Sequence, residues 1–350
     1  MVVSRIALSG SEKIGLLSNL STLLTAGIPI LDAVSTISED SKGREKILLE
    51  SLRADLQQGK PVHISLSAFP HSFDRVTINL LRAAEGAGTL EVTLRDLRDH
   101  LQKEIEFTDK IRFALIYPLL IGVVFFGVML AILIFVVPRI SSVFSRLNIP
   151  LPWPTKIMVF MSDLVVKQTW YLLGGITVVS AVMFFFYKNN RQLVLEIVSS
   201  LPVISKLVRE VDLVRFFRSM SLLLSSGLPI TTALELTQDV VFKKRTAKAI
   251  KASLRMVTSG KKLSEGFIAD KPDFPITVIR LIEAGEKSGT LDKAMGYISG
   301  YLDYQVSNSL KAFTSLIEPV MLLLVGLCVG GMMMAIIAPI YGLIGQVGGR

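Results

Sequence analysis

The chain repeats itself at long range, and that repeat limits its architecture more than any local pattern does. Ala26-Gly27-Ile28-Pro29-Ile30 recurs as Ser226-Gly227-Leu228-Pro229-Ile230, an offset of 200 residues. Ala83-Ala84-Glu85-Gly86-Ala87-Gly88-Thr89-Leu90 recurs as Ala284-Gly285-Glu286-Lys287-Ser288-Gly289-Thr290-Leu291, an offset of 201. The second offset is kept by Gly59-Lys60 and Gly260-Lys261, by Phe73 and Phe274, by Pro118 and Pro319, and by Pro138 and Pro339. A register held this long with one net insertion is a duplication. Its period is far longer than the roughly 20–50 residues of a solenoid unit. Each copy is therefore a whole domain together with its C-terminal extension.

These extensions are apolar. Three stretches carry no charge and are long enough to cross a bilayer, which takes about 20 residues as a helix. They run from Phe113 to Pro138, from Gln168 to Tyr187 and from Pro319 to Gly349. A mean hydropathy of +0.54 fits a chain partly in lipid and partly in water. The first 20 residues hold Arg5, Glu12 and Lys13 and no sustained apolar run. No cleavable signal peptide is expected, and the first span serves as the targeting signal.

The expected architecture is all-α, with two duplicated cytoplasmic helical bundles and three transmembrane helices. The boundaries are 1–112 for the first bundle, 113–138 for the first span and 139–167 for a short connector. The second span is 168–187, the second bundle 188–318 and the third span 319–345. Two spans separate the bundles, so both bundles face one compartment while residues 139–167 and Arg350 face the other. Both bundles are expected in the cytoplasm.

Local signals give the helices their ends. Ser9-Gly10-Ser11-Glu12 has capping-box spacing. The helix it opens runs to Ala26, where Gly27 takes a left-handed cap and Pro29 opens the next helix. Gly227 and Pro229 repeat this corner, and Gly88 and Gly289 are helix-ending positions of the same kind. Leu90, Leu94, Leu97, Leu101, Ile105, Ile111 and Leu115 lie on one helical face. Neither Gly nor Pro occurs between Thr89 and Pro118, so this helix is expected to run unbroken into the first span. Leu291, Met295, Ile298, Leu302, Val306, Leu310 and Phe313 repeat the stripe ahead of the third span. Pro118 and Pro319 fall at the span mouths, where a helix can kink. In the connector, Pro150, Pro152 and Pro154 forbid a helix and favour an extended bend.

The sequence offers no catalytic constellation. A phosphate loop would need glycine at the positions held by Ala54 and Arg255, so Gly59-Lys60 and Gly260-Lys261 fail the pattern. His63, His71 and His100 have no metal-ligand spacing, and the lone Cys328 lies in the third apolar stretch. No cofactor, metal or enzymatic activity is expected. Charged groups inside the spans, which a coupled transporter would carry, are absent from the three stretches. The rival reading from another class is nevertheless a duplicated membrane transporter.

Other residues suit contact. The net charge of +9 concentrates at Lys243, Lys244, Arg245, Lys248, Lys251, Arg255, Lys261 and Lys262. No helix-turn-helix or stacking-aromatic context surrounds them, so a solvated face near anionic lipid or an acidic partner is preferred to nucleic acid. Glu85 and Glu286 lie near helix C-termini, where the helix dipole disfavours an anion. The ordinary reading is a structural tie to an arginine or a free backbone N–H; the functional one is a partner-contact or cation-binding acid. Gly326 and Gly330 form a GxxxG strip widened by Gly331, suited to close helix packing either within the chain or between copies.

The doubled helical domains, the Gly-x-Pro corners, the Glu-x-x-Gly-Thr-Leu turn of both copies and the Leu151-Pro152-Trp153-Pro154-Thr155 connector together carry a resemblance. From about residue 12 to 345 the chain resembles the inner-membrane platform proteins of type IV pilus and type II secretion machines. Many members carry a segment before the first repeat, whereas here the first copy begins almost at once. The resemblance implies a non-enzymatic scaffold that couples a cytoplasmic secretion ATPase to the extraction and polymerisation of pilin or pseudopilin. It also implies a location in the bacterial inner membrane, with the N-terminus cytoplasmic and the connector 139–167 and the C-terminus periplasmic, contacts with other inner-membrane assembly components, and self-association.

Overall fold

Each copy folds as six helices in the same order, and the punctuation residues set where they start and stop. The computed structural model describes residues 6–146, 153–167, 202–269 and 274–347. In the first copy these are α1 (Gly10–Thr25), α2 (Ile30–Asp40), α3 (Gly43–Gln57), α4 (Val62–Ser67), α5 (Arg75–Ala87) and α6 (Leu90–Ala131). A π-helical turn (Ile132–Val136), α7 (Val137–Arg146) and α8 (Trp153–Lys167) come next. The second copy has α9 (Pro202–Ser225), α10 (Ile230–Thr237), α11 (Lys244–Thr258), α12 (Leu263–Ala269), α13 (Ile276–Ser288) and α14 (Leu291–Val347). The second apolar stretch, 168–187, lies outside the described residues. So do Pro150 and Pro152.

The chain divides into two units, Met1–Lys110 with Leu201–Ser307, and Ile111–Ser200 with Asn308–Arg350. The first holds α1–α5 and α9–α13 together with the charged starts of α6 and α14. Ser9 caps α1 through the reciprocal pair with Glu12, at 2.6 and 3.3 Å. The same bonds hold the Glu12 carboxyl below its usual pKa range. At the end of α1, Gly27 (φ 79°) donates to the Leu24 carbonyl and Ile28 to that of Leu23, a Schellman closure. Gly227 (φ 80°) and Leu228 close α9 in the same way on Leu224 and Leu223. Gly88 and Gly289 hold the left-handed cap after α5 and α13.

The prolines of the two corners differ from expectation. Pro29 and Pro229 are N-caps with extended ψ of 148° and 142°, and each carbonyl accepts the first bond of the helix that begins one residue later. An extended N-cap lets the chain turn sharply before the helix begins, and proline's fixed φ suits that conformation.

The cores use the repeat with different side chains. In the second copy Phe216, Phe217, Phe267 and Phe274 form a buried ring cluster, with centroids as close as 4.3 Å. The positions matching the first three hold Leu16, Leu17 and Leu66, and Phe73 keeps the fourth. The second stripe is buried from Met295 through Leu310, whereas in the first only Leu94 and Leu97 are fully buried. Beyond Leu97 the first stripe leaves its own core, and the buried side chain there is Phe107, off the stripe.

In the second unit α6 and α14 pass through Pro118 and Pro319 as continuous helix. Two helical segments among the described residues, Leu90–Arg146 and Leu291–Gly331, are long and apolar enough to cross a membrane. Phe113, Leu119, Val123, Leu322 and Leu327 stand exposed on their sides. The connector is more helical than its prolines predict. α7 continues past Pro138 to Arg146, and α8 starts at Trp153 with Pro154 in its first turn, where no N–H is required.

The π turn has a cause in the same chemistry. Pro138 cannot donate, so the ladder ahead of it loosens by one residue and Val137 donates to Ile132. The Leu133 carbonyl would then look to Pro138, which has no N–H. The Ser162 hydroxyl of α8 donates to that oxygen instead, at 2.6 Å in a buried position. Hydroxyl rescue of a proline-orphaned carbonyl is how an apolar helix tolerates the break.

Candidate functional site

In the first unit a group of partly buried ion pairs meets at the seam between the two copies. Helix α5 of the first copy lies against α9 and α10 of the second. Arg218 on α9 has a side chain only 9% exposed. Its Nη1 donates to Glu104 Oε2 at 3.1 Å and to the Lys103 carbonyl at 3.2 Å, both on α6. Its Nη2 donates to Asp303 Oδ2 on α14 at 2.9 Å, and the guanidinium lies 5.1 Å from the Phe107 ring centroid. One planar, five-donor cation thus ties together the two helices that lead into the apolar stretches.

Neighbours reinforce the tie. Arg215 Nε lies 2.8 Å from Glu104 Oε1, and its guanidinium sits over Phe242 at 4.9 Å. Lys110 Nζ is 3.3 Å from Asp303 Oδ1. His100 lies partly buried on α6; loss of water and the charges of Arg218 and Lys103 push its pKa down to about 4, against an opposing pull from Asp74. An exposed Arg75–Asp239 pair at 2.7 Å flanks the seam, and such pairs contribute little. The arrangement holds helices in register; it assembles no nucleophile with a base. Among the described residues no group of three or more His, Cys, Asp or Glu side chains could hold a metal.

The residues singled out in the sequence fall elsewhere. Glu85 accepts from the backbone N–H groups of Val62 (2.5 Å) and His63 (3.1 Å), and its carboxylate also meets His63 Nδ1. Glu286 accepts from Leu263 N (2.5 Å), Ser264 N (3.2 Å) and Ser264 Oγ (2.5 Å). Each carboxylate thus closes the N-terminus of a short preceding helix, α4 or α12, by taking N–H groups that have no partner within that helix. Lys243 is turned inward, donating to the Ser205 carbonyl and hydroxyl at 2.8 and 2.9 Å. Its backbone N–H and that of Phe242 are taken by the fully buried Asp212, at 2.8 and 3.0 Å. Burial raises the Asp212 carboxyl above its usual pKa. Lys244, Arg245 and Lys248 remain exposed on α11. A Cβ built on Gly326, Gly330 or Gly331 meets nothing within 4 Å among the described residues.

Arg218, Glu104, Asp303 and Asp212 were not singled out from the sequence. The available signal was asymmetry within the duplication: Gly15 and Ser18 stand where the second copy has Arg215 and Arg218, and Gln102 stands opposite Asp303. Charge present in only one copy marks what the copies do differently.

Comparison with known proteins covers nearly the whole chain. It is 31% identical over 337 residues to the type 4 fimbrial assembly protein PilC of Pseudomonas putida, covering 95% of this chain and 84% of that one. It is 29% identical to the type IV pilus assembly protein PilC of Thermus thermophilus, covering 94% and 81%. It is 27% identical to the type II secretion system protein F of Pseudomonas aeruginosa, covering 94% and 82%. The profile of type II secretion system (T2SS) protein F matches residues 16–138 and 216–339, once in each copy of the duplication. Both the repeat and its apolar extensions are therefore those of one family, and the chain belongs to the type II secretion system protein F family.

Proposed function

We propose that this chain is the inner-membrane platform of a type IV pilus assembly machine, coupling a cytoplasmic ATPase to pilin extraction and polymerisation. The observation that carries the reading is the clasp at Arg218. It fixes the water-facing ends of α6 and α14, and each of these helices continues without a break into an apolar stretch. A push on the soluble domains is thereby delivered to both helices together. The relative at 31% identity bears a pilus-assembly name, which favours the pilus over the secretion machine. The protein is a scaffold in this scheme, and the ATPase does the hydrolysis.

The exposed Lys244, Arg245 and Lys248 of α11 give the ATPase a basic contact surface. Deleting the gene should abolish surface pili, and the wild-type gene should restore them. A K244E/R245E/K248E variant should insert normally yet retain the ATPase several-fold less well in a pull-down from solubilised membranes. A deletion strain with normal pili and defective exoprotein release would move the protein to the secretion machine. Nucleotide turnover by the purified protein would sink the scaffold reading.

A further inference from the structure

The contact between the two copies is lopsided. The first copy offers α5 and α6, and the second answers mainly with α9 and α10, while Asp303 of α14 also meets Lys110. By the duplication, α13 and α14 correspond to α5 and α6, and α1 and α2 correspond to α9 and α10. Each copy has therefore used half of a head-to-tail interface within the chain and left most of the other half open.

The open halves look like unused interface. On the second copy, Ile276 (55% exposed) stands where the first has Arg75, the residue that pairs with Asp239. Tyr301 and Tyr304 (66% exposed) stand where the first copy has His100 and Lys103, both beside Arg218. Tyr297, 74% exposed, lies one turn before Tyr301 on the same helical face. An aromatic and aliphatic patch on a soluble domain, rimmed by charge, is the usual mark of a protein contact. On the first copy, Thr22 and Thr36 are exposed, whereas Leu222 and Leu236 at the matching positions are buried. Beside these threonines lies a cavity of about 730 Å³, lined in part by Glu12, Asn19, Asp40 and Glu45. Burial and the adjacent Glu12 charge raise the Glu45 carboxyl above its usual range, so a cation arriving there relieves repulsion. The open α13 face of the second copy carries the exposed Arg280.

We propose that the α13–α14 face of one molecule docks on the α1–α2 face of a second molecule of this chain, repeating between molecules the joint that links the copies within one. A heterologous contact of this kind closes into a ring or extends as a helical array, and does not stop at an isologous dimer. The inference rests on the duplication and its lopsided joint, and not on which machine the protein serves.

The test uses full-length protein in native membranes, with Cys328→Ala as background. Glu39 and Ile276 match Asp239 and Arg75, so two differently tagged chains carry Glu39→Cys and Ile276→Cys, one each. With a short bis-maleimide, a mixed-tag product is expected only when both chains are co-expressed, at least tenfold above either same-residue product. Adding Tyr304→Asp to the Ile276→Cys chain should abolish it. Because these positions are exposed, insertion should be unchanged, and unaltered helicity of the purified variants checks that. Same-residue products of equal yield would establish an isologous contact and overturn the proposal. Absence of the mixed product would overturn it as well, and association through the glycine strip of the third apolar stretch would then account for any oligomer. Neither result bears on the pilus assay.

Discussion

Arg218 does at the residue scale what no repeated motif does: it exists once in a duplicated chain and bonds to both long helices. Its neighbour His100 makes the clasp sensitive to acid. The imidazole has a folded pKa of about 4, far below its ordinary 6.5, so the unfolded chain binds the proton first. Stability from this group is complete above about pH 6.5 and is lost as pH falls toward 4. A charged imidazole would also stand beside Arg218 and Lys103. Thermal melts of full-length protein from pH 7.5 to 4.5 should therefore show a smaller drop in midpoint for His100→Gln than for wild type. Parallel curves for the two proteins would remove His100 from the acid response.

At the scale of elements, the short helices α4 and α12 depend on their neighbours. Each has fewer than two full turns of its own, and a carboxylate from α5 or α13 satisfies its first two N–H groups. Replacing Glu286 with Ala leaves two partly buried donors unpaired, at a cost of about 1–3 kcal/mol. Glu85→Ala should cost a similar amount, with the added loss of the His63 contact. Denaturant midpoints of the full-length variants measure both. An unchanged midpoint together with lost ATPase retention would instead assign these acids to partner contact.

At the scale of the molecule, duplication sets the topology that we propose. Two copies on one side of the membrane need an even number of crossings between them. Single cysteines introduced at Ser145 and Arg350 should react with an impermeant maleimide on intact cells, and those at Lys60 and Lys261 should not. Labelling at Lys261 but not at Lys60 would put the two copies on opposite sides and break the parity argument.

The sequence by itself determined the all-α fold, the repeat, the Gly-x-Pro corners, the capping box and the long helices that enter the apolar stretches. Each of these is written within a few residues, where capping chemistry, left-handed glycine and helical periodicity act locally. Tertiary structure alone decided the rest. The glutamates at the turns reach 22 or 23 residues back to cap another helix, and Ser162 meets a carbonyl 29 positions earlier in the chain. Arg218 finds Glu104 and Asp303 across 114 and 85 residues. A long polar side chain can be satisfied by many partners, and nothing in its neighbouring sequence selects among them. The selection is made when two copies of one domain pack through different faces, so that identical ancestry gives one copy a buried clasp and leaves the other an open patch.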